Sequence, residues 1–286
     1  MSLENILLII NFIAALTFST FIKLKGKKNL ENNILSATIF SISLWTLSHF
    51  LMRFFTFNPF ISRILLKFSF LLAAIMAMLF FNFCLAFTKR IKFMSFKNYL
   101  LIYFPIVLFY LSLVFLDPLV LKDVIINLYS QISFQPGIIY ILFSSYLVFM
   151  FFFSLYFLIN KYFKVSGEYK IQLLYVFVGT SISGLGIVVT NVFLVNLGIS
   201  SYIWCGPFIS FFWICLLTYS VTKHNLMEVK AIIPRIVSYI FIAVIIFTVS
   251  LILSYVEHSF FNILFIIFST SIFWMAFGNK LREKIQ

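Results

Sequence analysis

Long apolar runs alternate with short polar connections along the whole chain. The runs cover residues 6–22, 34–54, 68–87, 99–116, 138–159, 171–194, 203–221, 236–255 and 260–277. Each is close to the ~20 residues that a helix rising ~1.5 Å per residue needs to cross ~30 Å of hydrocarbon. Backbone in lipid must satisfy its own hydrogen bonds. Apolar runs without alternating polarity do so as helices rather than as barrel strands. The expected fold class is therefore all-α, a polytopic membrane helix bundle with about nine transmembrane helices.

Charge adds a direction to this pattern. If the N-terminus is outside, the cytoplasmic segments are the connections after the first, third, fifth and seventh runs, plus the tail. Those segments hold every one of the 21 Lys and Arg residues except Arg53, Arg63, Lys67 and Lys122. The acidic residues divide evenly, with Glu31, Glu168, Glu228 and Glu283 inside and Glu4, Asp117, Asp123 and Glu257 outside. The formal net charge of +13 thus falls on one face. Basic loops mark the cytoplasmic side, so the N-terminus is expected outside and the C-terminus in the cytoplasm of a bacterial cytoplasmic membrane. The basic balance then reports topology and a match to anionic membrane lipid, with no nucleic-acid partner implied. The first run carries Glu4 rather than a basic n-region, so it reads as a retained span and not a cleaved signal.

With 63% hydrophobic and 10% charged residues, no stretch can form a soluble domain. The 41 Phe residues read as lipid-facing bulk. Pro105 falls inside the fourth run and predicts a kink there, while Gly206-Pro207 opens the seventh. In the sixth run Gly179, Ser183, Gly184 and Gly186 predict close helix packing inside the bundle.

Several chemistries are missing. Histidine occurs only at 49, 224 and 258, and Cys84, Cys205 and Cys215 have no paired spacing, so neither a disulfide framework nor a metal site is expected. No phosphate-cradling glycine loop, zinc-binding His pair or triad is present, so no catalytic residue and no cofactor are assigned. Carboxylates never fall deep in a run, which argues against a proton-coupled pump. One constellation stands out. Trp45, His49 and Arg53 are four apart, stacking on one face of the second span over ~12 Å. Asn11 and Asn191 lie at similar depth. Together they suggest a recess for a small amphipathic or anionic ligand, anchored by Arg53 and His49. The plainer alternative is an interfacial Trp–Arg anchor with His49 bonded inside the bundle.

Later motifs bring a family into view. The segment 167–179, with Lys170, Gln172 and Gly179, resembles the start of a late helix in the seven-transmembrane N-terminal region of bacterial histidine kinases. Asn191, Gly198, Tyr202 and Gly206-Pro207 are similar to the connection that follows, and Tyr219, Lys223, Leu226, Met227 and Glu228 to its exit. Trp45 matches an aromatic position. Ile233-Pro234-Arg235, Tyr239 and the segment 277–286 look like the extra helix pair of longer members. Glu228 stands for the usual Asp and Asn279 for the usual Pro. The resemblance implies a seven-helix sensory region at 1–229, an added helix pair at 230–277 and the start of a cytoplasmic signalling helix at 278–286. It also implies a kinase or other output downstream that these residues do not contain. Leu281 and Ile285 would put an apolar stripe on that exit helix, for a homodimer or a separate signalling partner.

The reading is a membrane sensory module that relays a small ligand or a membrane state to a cytoplasmic output. A small-solute transporter is the alternative, and would need inverted repeats or midplane polar groups that are not found. A lipid-modifying enzyme ranks third for want of acid–base residues.

Overall fold

A computed structural model describes residues 3–223 apart from 27, 91–95 and 127–131. The expected spans at 236–255 and 260–277, the connection holding His224, and the 278–286 tail lie outside the described residues. The described helices are α1 (Leu3–Lys25), α2 (Leu30–Phe54), α3 (Pro59–Phe87), α4 (Phe96–Phe115), α5 (Asp117–Val120), α6 (Ile138–Tyr162), α7 (Glu168–Val188), α8 (Leu194–Asn196) and α9 (Cys205–Lys223). A π-helical turn, Val189–Phe193, joins α7 to α8, so Glu168–Asn196 is one continuous rod. Six of these helices are long and apolar enough to cross a membrane, and Cys205–Leu217 in α9 is a shorter apolar helix.

Short connections turn successive helices back on one another. Asn29 caps α2 by accepting from the backbone N–H of Asn32 at 2.8 Å. Asn58 caps α3 through the N–H groups of Phe60 and Ile61, with Pro59 in the first turn where a missing donor costs little. Gly198, at φ 84°, ends α8 in the left-handed region that favours glycine. One end of the bundle gathers Lys23, Lys89, Lys161 and Lys170. The other carries Arg53, Arg63 and the connection between α4 and α6.

That connection departs from the all-α expectation. It folds into α5 and an antiparallel hairpin, β1 (Leu121–Ile126) with β2 (Ile132–Pro136), with Val124 opposite Phe134. A segment lying over the bundle end has no long helix to pair its peptide groups, and a two-stranded ladder pairs them instead. The Gly137 N–H closes the base of the hairpin on the Val120 carbonyl at 2.9 Å. The Leu119 backbone sits where a Gly137 side chain would begin, so only glycine fits. Arg63 holds the hairpin root by donating to Asp117 at 3.0 Å and to the Leu121 carbonyl at 3.1 Å. Lys67 reaches the same Asp117 oxygen. Pro105 does not break α4, which runs on through it.

The helices close into a ring. α2 packs on α3, α3 on α6, α6 on α7, α7 on α9, and α9 back on α2. α4 lies against α3 and α6 from outside. Tyrosine hydroxyls bond backbone carbonyls across these seams: Tyr110 to Leu71 at 3.0 Å, Tyr146 to Ile102 and Tyr169 to Phe87. Ser19 and Ser36 bond reciprocally through hydroxyl and carbonyl, tying α1 to α2. In lipid such polar contacts substitute for the hydrophobic drive that water would supply. Two large apolar cores result, beside a smaller cluster of Phe81, Leu85, Met150 and Phe157. One, around Ile39, Phe83, Leu158 and Trp213, fills the lysine-rich half, and the other, around Phe70, Phe109, Phe134 and Tyr140, fills the hairpin half.

Candidate functional site: a cavity inside the helix ring

Between the two cores the ring surrounds a partly open cavity of about 170 Å³. α2, α3, α6, α7 and α9 all contribute to its wall, and Phe134 of the hairpin with Ile203 covers one end. Among the described residues no Lys, Arg, Asp or Glu lines it. Room for the cavity comes from small side chains: Ala73 and Ala77, one turn apart on α3, and Gly184 on α7.

Trp45 and His49 both line this cavity. They meet edge to face, with ring centroids 5.4 Å apart at 86°. His49 is 2% exposed and its Nδ1 has no hydrogen-bond partner. Burying an unpaired polar atom opposes folding, so His49 is a cost that the bundle carries beside the cavity. Ser183, also 2% exposed, presents a second unpartnered atom, its Oγ.

Asn191 joins them on the wall, within the π-helical turn. Tyr140 donates to its carbonyl at 2.7 Å, and its side-chain amide donates to Thr190 at 2.8 Å. A π turn widens the helix and re-aims the side chains it carries, and such turns concentrate at functional sites. Gly206 is needed opposite: the Asn191 side chain occupies the space of a Cβ there, and Trp45 lies 3.0 Å from that position.

Arg53 and Asn11 stand elsewhere. Arg53 does not line the cavity. Its guanidinium forms an ion pair with Glu4 and donates to the Asn5 side chain at 3.1 Å. Four residues beyond His49, it has turned to α1, because the carboxylate that neutralises it is there. Asn11 is 1% exposed and donates to Thr46 at 3.3 Å and to the Pro207 carbonyl at 2.5 Å, joining α1 to α2 and α9. Its Oδ1 has no partner.

The small residues of α7 divide by neighbour. Gly179 faces Leu216 and Trp213, with Leu216 Cβ 3.0 Å from where a Cβ would sit. Gly186 faces Ile209 at 2.9 Å, and Gly184 faces the Phe151 ring on α6. Thr180 accepts from the Trp213 indole N–H at 2.9 Å. The helix is not enclosed all round, however. Ile171, Leu174, Val178, Ile182, Leu185, Val189 and Phe193 form an exposed apolar stripe along its opposite side, spaced as a surface facing lipid demands.

Sequence reasoning overlooked Phe134, Tyr140, Thr180 and Trp213. Phe134 was hidden in a connection, Tyr140 and Trp213 read as bulk in apolar runs, and Thr180 read only as one of the small packing residues of the sixth run. Ala73 and Ala77 did carry a signal, as small residues at helical spacing in a run otherwise rich in Leu, Met and Phe.

Taken together, these elements define a polytopic helical membrane protein with a largely apolar cavity in its interior. The chain belongs to the family described as the N-terminal 7TM region of histidine kinase, whose model matches residues 6–230. The family places it among membrane sensors of signal transduction. No curated protein and no solved structure matches the chain. Among the described residues no cluster of His, Cys, Asp or Glu has the makings of a metal site.

Proposed function

We propose that this chain is the sensory input of a membrane signalling protein, and that the cavity within the five-helix ring is where its stimulus is read. A small molecule seated there, or a membrane state that changes its volume, shifts the bundle between two arrangements. Such a shift requires the stimulus to favour one arrangement over the other. The observation that supports this reading is a cavity inside the ring whose lining residues include His49 and Ser183, each carrying a buried, unpartnered polar atom. Trp45 and Asn191 share the cavity wall. Arg53 acts as a structural tie to Glu4, which favours an amphipathic ligand over an anionic one.

In this reading the module sits in a bacterial cytoplasmic membrane with about nine spans, the N-terminus outside and the C-terminus inside. The bias of Lys and Arg toward one set of connections supports that sidedness. The signal leaves through the segment after residue 223 to an output that catalyses the response, in a homodimer or through a separate partner. No catalytic role falls on residues 1–286.

A chimera of residues 1–286 with a histidine-kinase output tests the proposal once a stimulus that switches it is found. Replacing His49 with Leu raises the stimulus concentration for half-response at least tenfold, whereas Arg63→Lys leaves it unchanged. Equal sensitivity in the His49→Leu and parent chimeras contradicts the proposal.

A further inference from the structure

The five seams of the helix ring differ in what closes them. Asn11 of α1 bridges the α2–α9 seam by donating to Thr46 and to the Pro207 carbonyl. α4 backs the α3–α6 seam, where Tyr110 donates to the Leu71 carbonyl and Phe109 stacks on Phe143. α2 and α3 pack closely, and Gly179 and Gly186 bring α7 against α9. Over the α6–α7 seam the described residues place no further helix, and Phe152 and Leu185 beside it are exposed. Two contacts bound this seam. Toward the hairpin, Tyr140 donates to the Asn191 carbonyl, and about halfway along α6 the Phe151 ring packs on Gly184. On α7 the two contacts are about two turns apart, or ~10 Å along the axis. Between them stand Val148 and Val188, half-buried side chains that line the cavity.

The cavity offers an occupant little but carbon. Its hydroxyls are spent within the protein: Thr38 donates to the Ile34 carbonyl, Ser144 to Ile141 and Ser210 to Pro207, each on its own helix. Back-bonding of this kind turns the oxygen onto the backbone. The Trp213 indole N–H is taken by Thr180. His49 Nδ1 and Ser183 Oγ are sealed from the cavity surface. No charged side chain lines it among the described residues, so a polar or ionic ligand would be buried without partners. Across the ring from the α6–α7 seam lies α2, whose lining residues Thr38, Ile42 and Trp45 are all buried. In a bilayer an opening in this seam meets acyl chains rather than water. Lipid tails are as apolar as leucine, so the gain from filling such a void is the dispersion contact that its lining lacks.

We infer that a bilayer lipid inserts the end of one acyl chain between α6 and α7, and that this end occupies the cavity. A cavity of ~150 Å³ holds a benzene ring, so one of about 170 Å³ receives roughly six chain carbons and leaves the rest of the lipid outside. Val148 and Val188 lie well inside their helices, at the depth of hydrocarbon, where chain ends reach and headgroups do not. What the bundle meets is therefore the bulk of the chain end, and a close-packed wall responds to added volume by shifting. The chain's role as stimulus rests on the sensory reading above, whereas its entry does not.

The test is photolabelling of the full chain in phosphatidylcholine nanodiscs. One probe lipid carries a diazirine at the end of an acyl chain, and a second carries it beside the ester carbonyl. Adducts are assigned to residues by tandem mass spectrometry. The chain-end probe is expected to label Ile42 and Trp45, on the inner face of α2, at least threefold more than the carbonyl-side probe. Val148→Phe and Val188→Phe narrow the seam from opposite sides, and each should cut this inner labelling at least fivefold. Unchanged labelling of Leu108 on α4 shows that both variants are still folded and inserted. Leu142→Phe, on the exposed side of α6, should leave both signals as they are. Labelling confined to outward residues such as Leu108 and Phe152, or inner labelling that neither variant reduces, overturns the inference. An unlabelled inner face together with a co-purifying free hydrophobic molecule assigns the cavity to that molecule and overturns it too. If inner labelling is absent but Ala77→Phe still shifts the output of the kinase chimera, the acyl chain is the wrong occupant and the sensory reading stands. If inner labelling is present and Ala77→Phe is silent, the chain enters and the sensory reading falls.

Discussion

α2 and α4 are both long enough to cross the membrane, yet they solve opposite problems. α2 is the least apolar of the six candidate spans and the most buried, with 61% of its 18-residue window inside the bundle, against 18% for α4. Asn32, Ser36, Thr38, Ser41, Ser43, Thr46, Ser48 and His49 are all buried on α2. α4 instead exposes Leu100, Phe104, Leu108, Leu111 and Phe115 at helical spacing. In water the more apolar helix would be the one inside. In lipid, apolar surface needs no cover and polar atoms do, so the order inverts. The polarity of α2 therefore marks it as a wall of the bundle interior, and the apolarity of α4 marks it as an outer support.

Substitutions on the two helices sharpen or break this contrast. The largest effect belongs to Leu108→Lys, which places a charge near the middle of a lipid-facing helix and should cost about 3 kcal/mol of insertion free energy. A glycosylation-mapping assay of insertion reads it, and full insertion of the variant would remove α4 from the lipid boundary. Ser36→Leu comes next. It destroys the reciprocal bonds to Ser19 and forces a larger side chain between α1 and α2, at about 1–3 kcal/mol in thermal unfolding. A cost near zero there would mean that α1 is not seated on α2. Thr46→Val keeps the shape but loses the acceptor for Asn11, and should cost only about 0.6 kcal/mol, the usual worth of one interhelical hydrogen bond in a membrane protein. Smallest is Leu111→Ala on the exposed side of α4, within about 0.5 kcal/mol. A drop in unfolding midpoint as large as that of Ser36→Leu would contradict the contrast itself.

Much of the bundle is legible in the sequence because span length is set by the bilayer and shows directly as apolar runs. The seventh run illustrates the limit. Residues 203–221 read as one span, whereas the helix α9, Cys205–Lys223, begins only after a turn around Tyr202. The hairpin was hard to read because residues 121–126 do not alternate, the alternation at 131–135 is short, and the pairing depends on Arg63 and Gly137. Trp45 and His49 share a wall because spacing of four fixes a helical face. That rule could not say where Arg53 would turn, since its partner Glu4 lies at the start of another helix. Asn191 reaches the same cavity only through the π turn and the glycine at 206, neither of which leaves a periodic trace.

The most direct test compares one substitution in the cavity with one on the lipid face, in the chimera of residues 1–286 with a histidine-kinase output. Ala77→Phe fills part of the cavity and Leu108→Phe adds bulk facing lipid. The account predicts that Ala77→Phe shifts basal autophosphorylation at least threefold while Leu108→Phe stays at the parent level. Parent-level output from Ala77→Phe, or equal shifts from both, would contradict the claim that the input is read inside the helix ring.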